Sequence, residues 1–253
     1  MIAATGLQNQ QRRLDTIANN VANVNTVAFR ASRLDFQDAL YTAGIVPGLP
    51  RTPEGNQQKG HGVMVAGITR DFSNGSIIST ERQLDLAVDG EGFFALEGAD
   101  GATVYTRNGA FNLSVEVDGV FLVNGSGLYV LDSDGMRIRI PELTETISVS
   151  DDGTLTFTIG EEVESIAVIG FYTFRNLTGL LTLGDGNYSE SVASGVRLPA
   201  TEARIRQGVL ESSNVSLADE MTRMIRTQRA FSLASRALTT ADEMEGIANN
   251  MRR

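Results

Sequence analysis

The side chains that could do chemistry in this sequence are few and scattered. His61 is the single histidine and stands between two glycines, and cysteine is absent. Hydrolysis of the serine-hydrolase type needs a histidine base that a carboxylate orients, while thiol catalysis and cysteine-ligated metals need cysteine. We therefore interpret His61 as a surface residue of a loop, and we predict no catalytic residue.

Several acidic or glycine-rich motifs resemble ligand sites, but none of them is complete. Residues 89–92 (DGEG) have the glycines of a phosphate loop without its lysine. Residues 132–135 (DSDG) open like a calcium-binding loop, but Leu143 stands where the closing glutamate is needed. The carboxylate pairs at residues 151–152 and 161–162 lie at expected turns, where solvated carboxylates are more usual than a glycosidase pair. We predict turns at these positions, no metal, no cofactor and no enzyme.

The composition argues against two classes of partner. The 253 residues carry a net charge of −10, which suits nucleic acid poorly because phosphate neutralisation supplies most of that affinity. No segment is long and apolar enough to span a bilayer, and no cleavable signal peptide is visible, so we expect no membrane insertion. An apolar content of 42% is enough for a core, and 26 glycines are typical of a turn-rich β protein.

The two ends of the chain are predicted to be amphipathic helices. In residues 7–24 an apolar residue recurs at heptad-like spacing, with Gln10 as the polar exception, and the asparagines that follow favour a helix end near Val24. In the C-terminal segment Ser216 is a plausible N-cap, since Asp219 and a glutamate follow in the first turn. The four arginines of that helix are either a solvated face or partners for carboxylates of neighbouring subunits: Arg223, Arg226, Arg229 and Arg236.

The middle of the chain has the period of strands. Residues 27–41 are either a short helix or an extended arm, and residues 42–62, rich in proline and glycine, are a linker or loop. From Val63 short β-branched and aromatic runs alternate with Asp-Gly and Asn-Gly turns, which predicts antiparallel strands. We expect this β region to fade after Tyr188 and the helical region to resume through residues 208–214.

The fold class that follows is α+β. Its N- and C-terminal helices would pair as a coiled coil, and a mainly antiparallel β domain would be inserted between them. The expected domains are a helical assembly domain (1–41 plus 209–253), a linker and connecting β or extended region (42–83 plus 190–208) and a β domain (84–189).

Paired terminal helices with uncovered faces favour self-assembly over an ordinary intramolecular hairpin, although the hairpin stays open. Isolated helices are stabilised mainly by packing of an apolar face, so the apolar stripes need a partner. The predicted assembly residues are Leu7, Leu14, Ile17, Val21, Val24, Phe29, Leu217, Met221, Met224, Ile225, Phe231 and Leu238.

Three blocks of sequence resemble the bacterial flagellar basal-body rod and hook protein family. They comprise residues 19–26 (NNVANVNT), residues 84–94 (LDLAVDGEGFF) with 105–111 (YTRNGAF), and residues 211–215 (ESSNV) with 227–231 (TQRAF). The blocks occur in the family's order and together span most of the chain. The residues that carry the motif are Asn19, Asn20, Asn23, Asn25, Thr26, Gly90, Gly92, Phe93, Phe94, Asn214, Gln228 and Arg229.

The resemblance implies a structural subunit, most like the distal rod type, with the proximal rod type as the alternative. It implies export by the flagellar type III system without signal cleavage, and helical self-assembly into the torque-transmitting shaft that crosses the periplasm. The implied partners are copies of the chain, other axial proteins (proximal rod and hook) and the surrounding basal-body rings. From another class, a secreted β-rich binding module or hydrolase with oligomerising helices stays open.

Overall fold

The computed structural model describes residues 2–38, 42–43, 58–59, 63–141, 144, 146–159 and 162–251. The interpretations of His61, Leu143 and Glu161, and most of the predicted 42–62 loop, lie outside these residues. The chain divides into two compact units. The three domain boundaries expected from the sequence stay a prediction.

The first unit takes its residues from Met1–Ala22, Ser32–Arg70 and Ser216–Arg253. Helix α1 spans Ile2–Ala22, helix α2 spans Leu217–Met251, and the two helices pack against each other. The strands of this unit form two antiparallel pairs, β1 with β4 and β2 with β3: β1 (Ser32–Asp38), β2 (Thr42–Ala43), β3 (Gln58–Lys59) and β4 (Val63–Arg70).

The helix ends agree with the sequence analysis. Helix α1 stops at Ala22, close to the predicted Val24. Helix α2 begins directly after Ser216, whose Oγ accepts the Asp219 N–H at 3.5 Å. The start of α2 depends on a side chain that bonds to nearby backbone, which is why it could be located from the sequence.

The short helix considered for residues 27–41 is wrong, because residues 32–38 form strand β1. Their backbone groups bond to β4, and the register shifts between Asp35 and Phe36. Just before the strand, Ala28 has a φ of 55°, which interrupts any helical run. The extended alternative is therefore the correct one.

The second unit comprises Asn23–Ala31 and Asp71–Val215, and it contains the remaining strands. Every strand pairing among its described residues is antiparallel. The strands are β5 (Ile77–Ser79), β6 (Leu86–Asp89), β7 (Phe93–Glu97), β8 (Thr103–Thr106), β9 (Asn112–Glu116), β10 (Gly119–Val123), β11 (Tyr129–Val130), β12 (Arg139–Ile140), β13 (Thr146–Val149), β14 (Thr154–Ile159), β15 (Glu162–Val168), β16 (Phe171–Thr173), β17 (Leu181–Gly184), β18 (Asn187–Ser189), β19 (Leu198–Pro199), β20 (Arg204–Gln207) and β21 (Val209–Glu211), with a 3-10 helix at Leu177–Gly179.

The largest sheet of this unit has ten strands. Its main path runs β12-β10-β11-β7-β8-β18-β17, and β9, β16 and β19 pair at its sides. A three-stranded sheet (β13-β14-β15) and the pairs β6–β20 and β5–β21 complete the unit. Phe94, Leu96, Phe111 and Phe157 are fully buried in the core between them. Full burial of one such side chain stabilises the fold by roughly 1.5–3 kcal/mol.

Two predictions about the end of the β region are wrong. Strands continue after Tyr188, since β19, β20 and β21 follow it. Residues 208–214 do not resume a helix, because β21 pairs with β5 and bonds Val209 opposite Ser79. The pairs β6–β20 and β5–β21 each join segments that are more than 100 residues apart in the sequence. Local periodicity carries no information about such distant partners. The α+β class with a mainly antiparallel β region and terminal helices is confirmed, whereas coiled-coil pairing of the helices stays a prediction.

Candidate functional site

The predicted assembly residues of the first unit fall into buried and exposed groups. Ile17 is buried between the elements of this unit, at 4% exposed. Six further side chains of the two helices are half-buried: Leu7, Leu14, Val21, Met224, Phe231 and Leu238. Of the remaining predicted residues, Val24 and Phe29 are half-buried in the second unit.

Three predicted assembly residues of α2 are largely exposed. Leu217, Met221 and Ile225 are 41%, 50% and 52% exposed. Their spacing of four residues places them in one row along the helix surface. We call these three residues the α2 row. It is an apolar surface that the first unit leaves uncovered on a helix already packed against α1.

The motif residues of the second unit surround a buried ion-pair cluster. The carboxylate of Glu211 accepts Arg30 Nη2 at 2.8 Å on Oε1 and Arg107 Nε at 2.9 Å on Oε2. All three side chains are at least 97% buried. The Gly75 N–H also donates to Glu211 Oε1, at 2.8 Å. We call Arg30, Arg107 and Glu211 the buried cluster.

Backbone carbonyls of the motif glycines satisfy Arg107. Its Nη1 donates to Gly90 O at 2.9 Å and to Gly92 O at 3.0 Å, and its Nη2 donates to Val88 O at 3.0 Å. The guanidinium also lies over the ring of Phe93, 5.9 Å from its centroid. Burial lowers the pKa of Arg107 from its ordinary value, and the charge of Glu211 opposes that shift. The predicted turn at residues 89–92 therefore serves as an arginine-binding backbone rather than a phosphate loop.

Asn214 extends these contacts to neighbouring segments of the second unit. Its Oδ1 accepts the Ala31 N–H at 2.8 Å, and its Nδ2 donates to Asp71 O and Ser73 O at 2.8 and 3.1 Å. Arg30 Nη1 donates to the same Ser73 carbonyl at 2.9 Å. Segments from both ends and from the middle of the chain thus meet in one network.

The remaining motif residues do not belong to the buried cluster or to its hydrogen-bond network. Asn20 is buried in the first unit, where its side chain bonds both backbone groups of Ser32 at 2.9 Å. Phe93 and Phe94 are core residues. The other motif positions are exposed or half-buried: Asn19, Asn23, Asn25, Thr26, Gln228 and Arg229.

The candidate ligand motifs have structural roles. Asp132 Oδ1 accepts the N–H groups of Asp134 and Met136 at 2.9 and 2.8 Å, which is the hairpin turn predicted there. Within the described residues, no group of three or more His, Cys, Asp or Glu side chains is placed to hold a metal ion. No helix formed by those residues is both long and apolar enough to cross a membrane.

Comparison with known proteins matches three segments of the chain to flagellar families. Residues 1–30 match "Flagella basal body rod protein", residues 87–157 match "Flagellar hook protein FlgE/F/G D1 domain", and residues 206–251 match "Flagellar basal body rod FlgEFG protein C-terminal". The flagellar basal-body rod protein FlgG of Borreliella burgdorferi is 38% identical over 99% of this chain and 97% of its own length. The proteins of the same name from Bacillus subtilis and Agrobacterium fabrum are 37% and 36% identical, each over 98% of this chain and 97% of their own length.

The chain belongs to the flagellar basal-body rod protein family. The family predicted from the three motif blocks is confirmed. The protein is therefore a structural component of the flagellar basal body rather than an enzyme, and it associates with other flagellar axial components.

The buried cluster joins the three segments that match the rod and hook families. Arg30 lies in the first matched segment, Arg107 in the second and Glu211 in the third. Sequence reasoning did not single out any of these three residues as a site. Arg107 and Glu211 were within the motif blocks, but a charged residue beside apolar neighbours does not reveal that its partner is 104 or 181 residues away.

Proposed function

We propose that the protein is a self-assembling subunit of the flagellar rod, of the distal type. Copies join helically through the terminal helices into the axial shaft that transmits torque. The shaft crosses the periplasm, meets the proximal rod and the hook at its ends, and is surrounded by the basal-body rings. The length of the chain and the layout of its three motif blocks are most like the distal type, and the proximal type is the alternative.

The observation that carries this proposal is the α2 row. Its three apolar side chains are exposed on a helix that also packs on α1. Burial of each in a contact between copies would contribute roughly 1.5–3 kcal/mol, less the cost of ordering the chains. Coiled-coil pairing of the terminal helices, within or between copies, belongs to the same proposal.

Electron cryomicroscopy of the purified chain under assembly conditions tests this function. We expect filaments or rings in which the helices of the first unit line an inner tube. Amide exchange on the unassembled chain should be faster in α1 and α2 than in the second unit. A monomer that stays dispersed at every concentration, with both helices fully protected, would contradict self-assembly.

We also propose export by the flagellar type III system. The support is membership of a family whose named relatives are flagellar basal-body proteins. In a flagellated host, the chain should reach the medium when the flagellar export apparatus is intact and remain in the cytoplasm when it is deleted. Equal export by both strains would refute this route.

A further inference from the structure

The first unit contains a cavity in which a buried carboxylate oxygen has no hydrogen-bond partner among the described residues. It has a volume of about 230 Å³ and lies among α1, β1 and the first turns of α2. Three arginines (Arg13, Arg33 and Arg223) and Glu220 provide its charged lining, and Ile17 and Phe36 are among its apolar residues. We call it the α2-start cavity.

Glu220 carries the buried carboxylate oxygen that lacks a described partner. Its side chain is 5% exposed, and Oε1 accepts Arg223 Nη1 at 2.8 Å. Its Oε2 is buried and has no hydrogen-bond partner among the described residues. A buried acceptor that has left water needs a donor, and no described residue donates to Oε2.

The cavity also carries an excess of positive charge. Arg13 stacks over the ring of Phe36 at 5.9 Å and makes no ion pair with a described residue. Arg33 pairs with Asp35 at 3.0 Å on the surface, and Arg223 is held by Glu220. An occupant that suits this cavity therefore brings carboxylates for the arginines, apolar side chains for the floor and a hydrogen-bond donor for Glu220.

The far end of α2 has that chemistry. Asp242 and Glu243 are exposed and make no ion pair with a described residue. Met244 and Ile247 are 61% and 59% exposed. The carboxamides of two further exposed residues follow in the same segment: Asn249 and Asn250. We call residues 242–251 the α2-end segment.

The α2-end segment cannot reach the cavity of its own chain. Both belong to one continuous helix, Leu217–Met251. At a rise of 1.5 Å per residue, Glu220 and Asp242 are held about 33 Å apart. The charges of the helix are also segregated, since its arginines lie between residues 223 and 236 and three of its acids between 242 and 245. The segment that meets this cavity must come from another copy.

We propose that the α2-start cavity of one copy receives the α2-end segment of a second copy. Carboxylates of the segment pair with Arg13 and Arg33, its apolar side chains cover Ile17 and Phe36, and a carboxamide N–H donates to Glu220 Oε2. Two different surfaces meet in this contact, so copies add head to tail and the contact continues as an open polymer unless a rotation closes it. The inference rests on the proposed rod function and names the contact that would propagate it.

Charge exchange between the two surfaces tests the contact. Arg13→Glu, or Asp242→Arg with Glu243→Arg, should raise the critical concentration for assembly at least about tenfold, because like charges then meet. The three substitutions combined should restore most of the lost assembly. Arg236→Glu is the control, since Arg236 is an exposed arginine of α2 outside both surfaces. Helix content by circular dichroism should be the same in all variants, and unchanged assembly in the first two would overturn the contact.

Disulfide trapping gives an independent test, because the chain has no cysteine of its own. Thr16 lines the cavity, so Thr16→Cys combined with Ile247→Cys should form a ladder of cross-linked copies under mild oxidation. Thr16→Cys combined with Leu233→Cys, an exposed site farther back on α2, should not. If polymers form but no ladder of cross-linked copies appears, this contact is wrong and the proposed rod function is unaffected. Absence of both polymers and ladder overturns both.

Discussion

At the scale of single residues, Glu211 holds the second unit together. Two arginines and a backbone N–H donate to its carboxylate, and its own carbonyl accepts the Ala28 N–H at 2.8 Å. A buried ion pair contributes little over an apolar replacement, but removal of one partner leaves a buried charge uncompensated. Here that removal would leave two buried cations, Arg30 and Arg107, without a carboxylate partner.

Glu211→Gln should therefore lower the free energy of unfolding of the second unit by about 3–5 kcal/mol. Near-ultraviolet circular dichroism during urea unfolding measures this, because four tyrosines lie in that unit: Tyr105, Tyr129, Tyr172 and Tyr188. Glu202→Gln, at an exposed site, is the matched control and should change stability by less than about 0.5 kcal/mol. Equal effects of the two substitutions would show that the buried cluster is not needed for stability.

Gly109 is a second single residue on which the second unit depends, and its role differs from the turn that its Asn-Gly motif predicts. Strands β8 and β9 on either side of it do not pair with each other, so no hairpin forms there. A Cβ at residue 109 would lie 1.7 Å from the Leu86 carbonyl oxygen. The glycine is needed for close approach of two backbones rather than for a turn.

Gly109→Ala should destabilise the second unit by about 2–3 kcal/mol, because backbone atoms must move apart to make room. Gly125→Ala is the control, since nothing lies within 4 Å of a Cβ placed there. The difference in urea midpoint between the two variants measures the effect. A Gly109→Ala protein as stable as Gly125→Ala would contradict this close contact.

At the scale of elements, the strand β1 depends on the helix that precedes it. The buried Asn20 side chain bonds the N–H and the C=O of Ser32, the first residue of β1. Those two bonds resemble the pairing of another strand and fix where β1 begins beside α1. This explains why residues 32–38 extend although their apolar spacing also allowed a short helix.

Asn20→Ala should loosen β1 from α1, at a cost of about 1–3 kcal/mol for the buried backbone groups that lose their partner. Amide exchange of residues 32–35 should become faster. Gln8→Ala removes an exposed carboxamide from the same helix and should leave that exchange unchanged. Protection of β1 that persists in the Asn20 variant would show that β4 alone holds the strand.

At the scale of the whole molecule, the proposed function depends on what the first unit leaves exposed. The half-buried members of the predicted assembly set that lie on α1 and α2 contribute to the first unit itself, whereas the α2 row is free to contact another copy. Substitutions in this row should therefore act on assembly and leave each unit folded.

Met221→Asp should abolish or strongly reduce assembly, because a carboxylate would be desolvated in a contact between apolar surfaces. Sedimentation of polymers measures assembly, and circular dichroism verifies the fold. Val117→Asp, at a fully exposed apolar site of the second unit, provides the comparison and should assemble normally. Normal filaments from the Met221 variant would remove the α2 row from the interface.

The sequence by itself determined the terminal helices, most of the turns, the antiparallel β class and the family. These features depend on apolar periodicity, on caps that bond to nearby backbone and on residue types at fixed spacing, all of which are local. Residues 103–106 and 154–159, for example, are two of the short β-branched and aromatic runs that lie between such turns, and they form strands β8 and β14.

Only the tertiary structure decided that residues 209–211 form a strand, that residues 32–38 extend, and that Arg30, Arg107 and Glu211 make one site. Each of these depends on hydrogen bonds to distant segments, up to 181 residues away along the chain. Local patterns carry no record of such partners. The same holds for the exposed α2 row, because burial of a helical side chain is set by the elements packed around it and not by its place in a heptad.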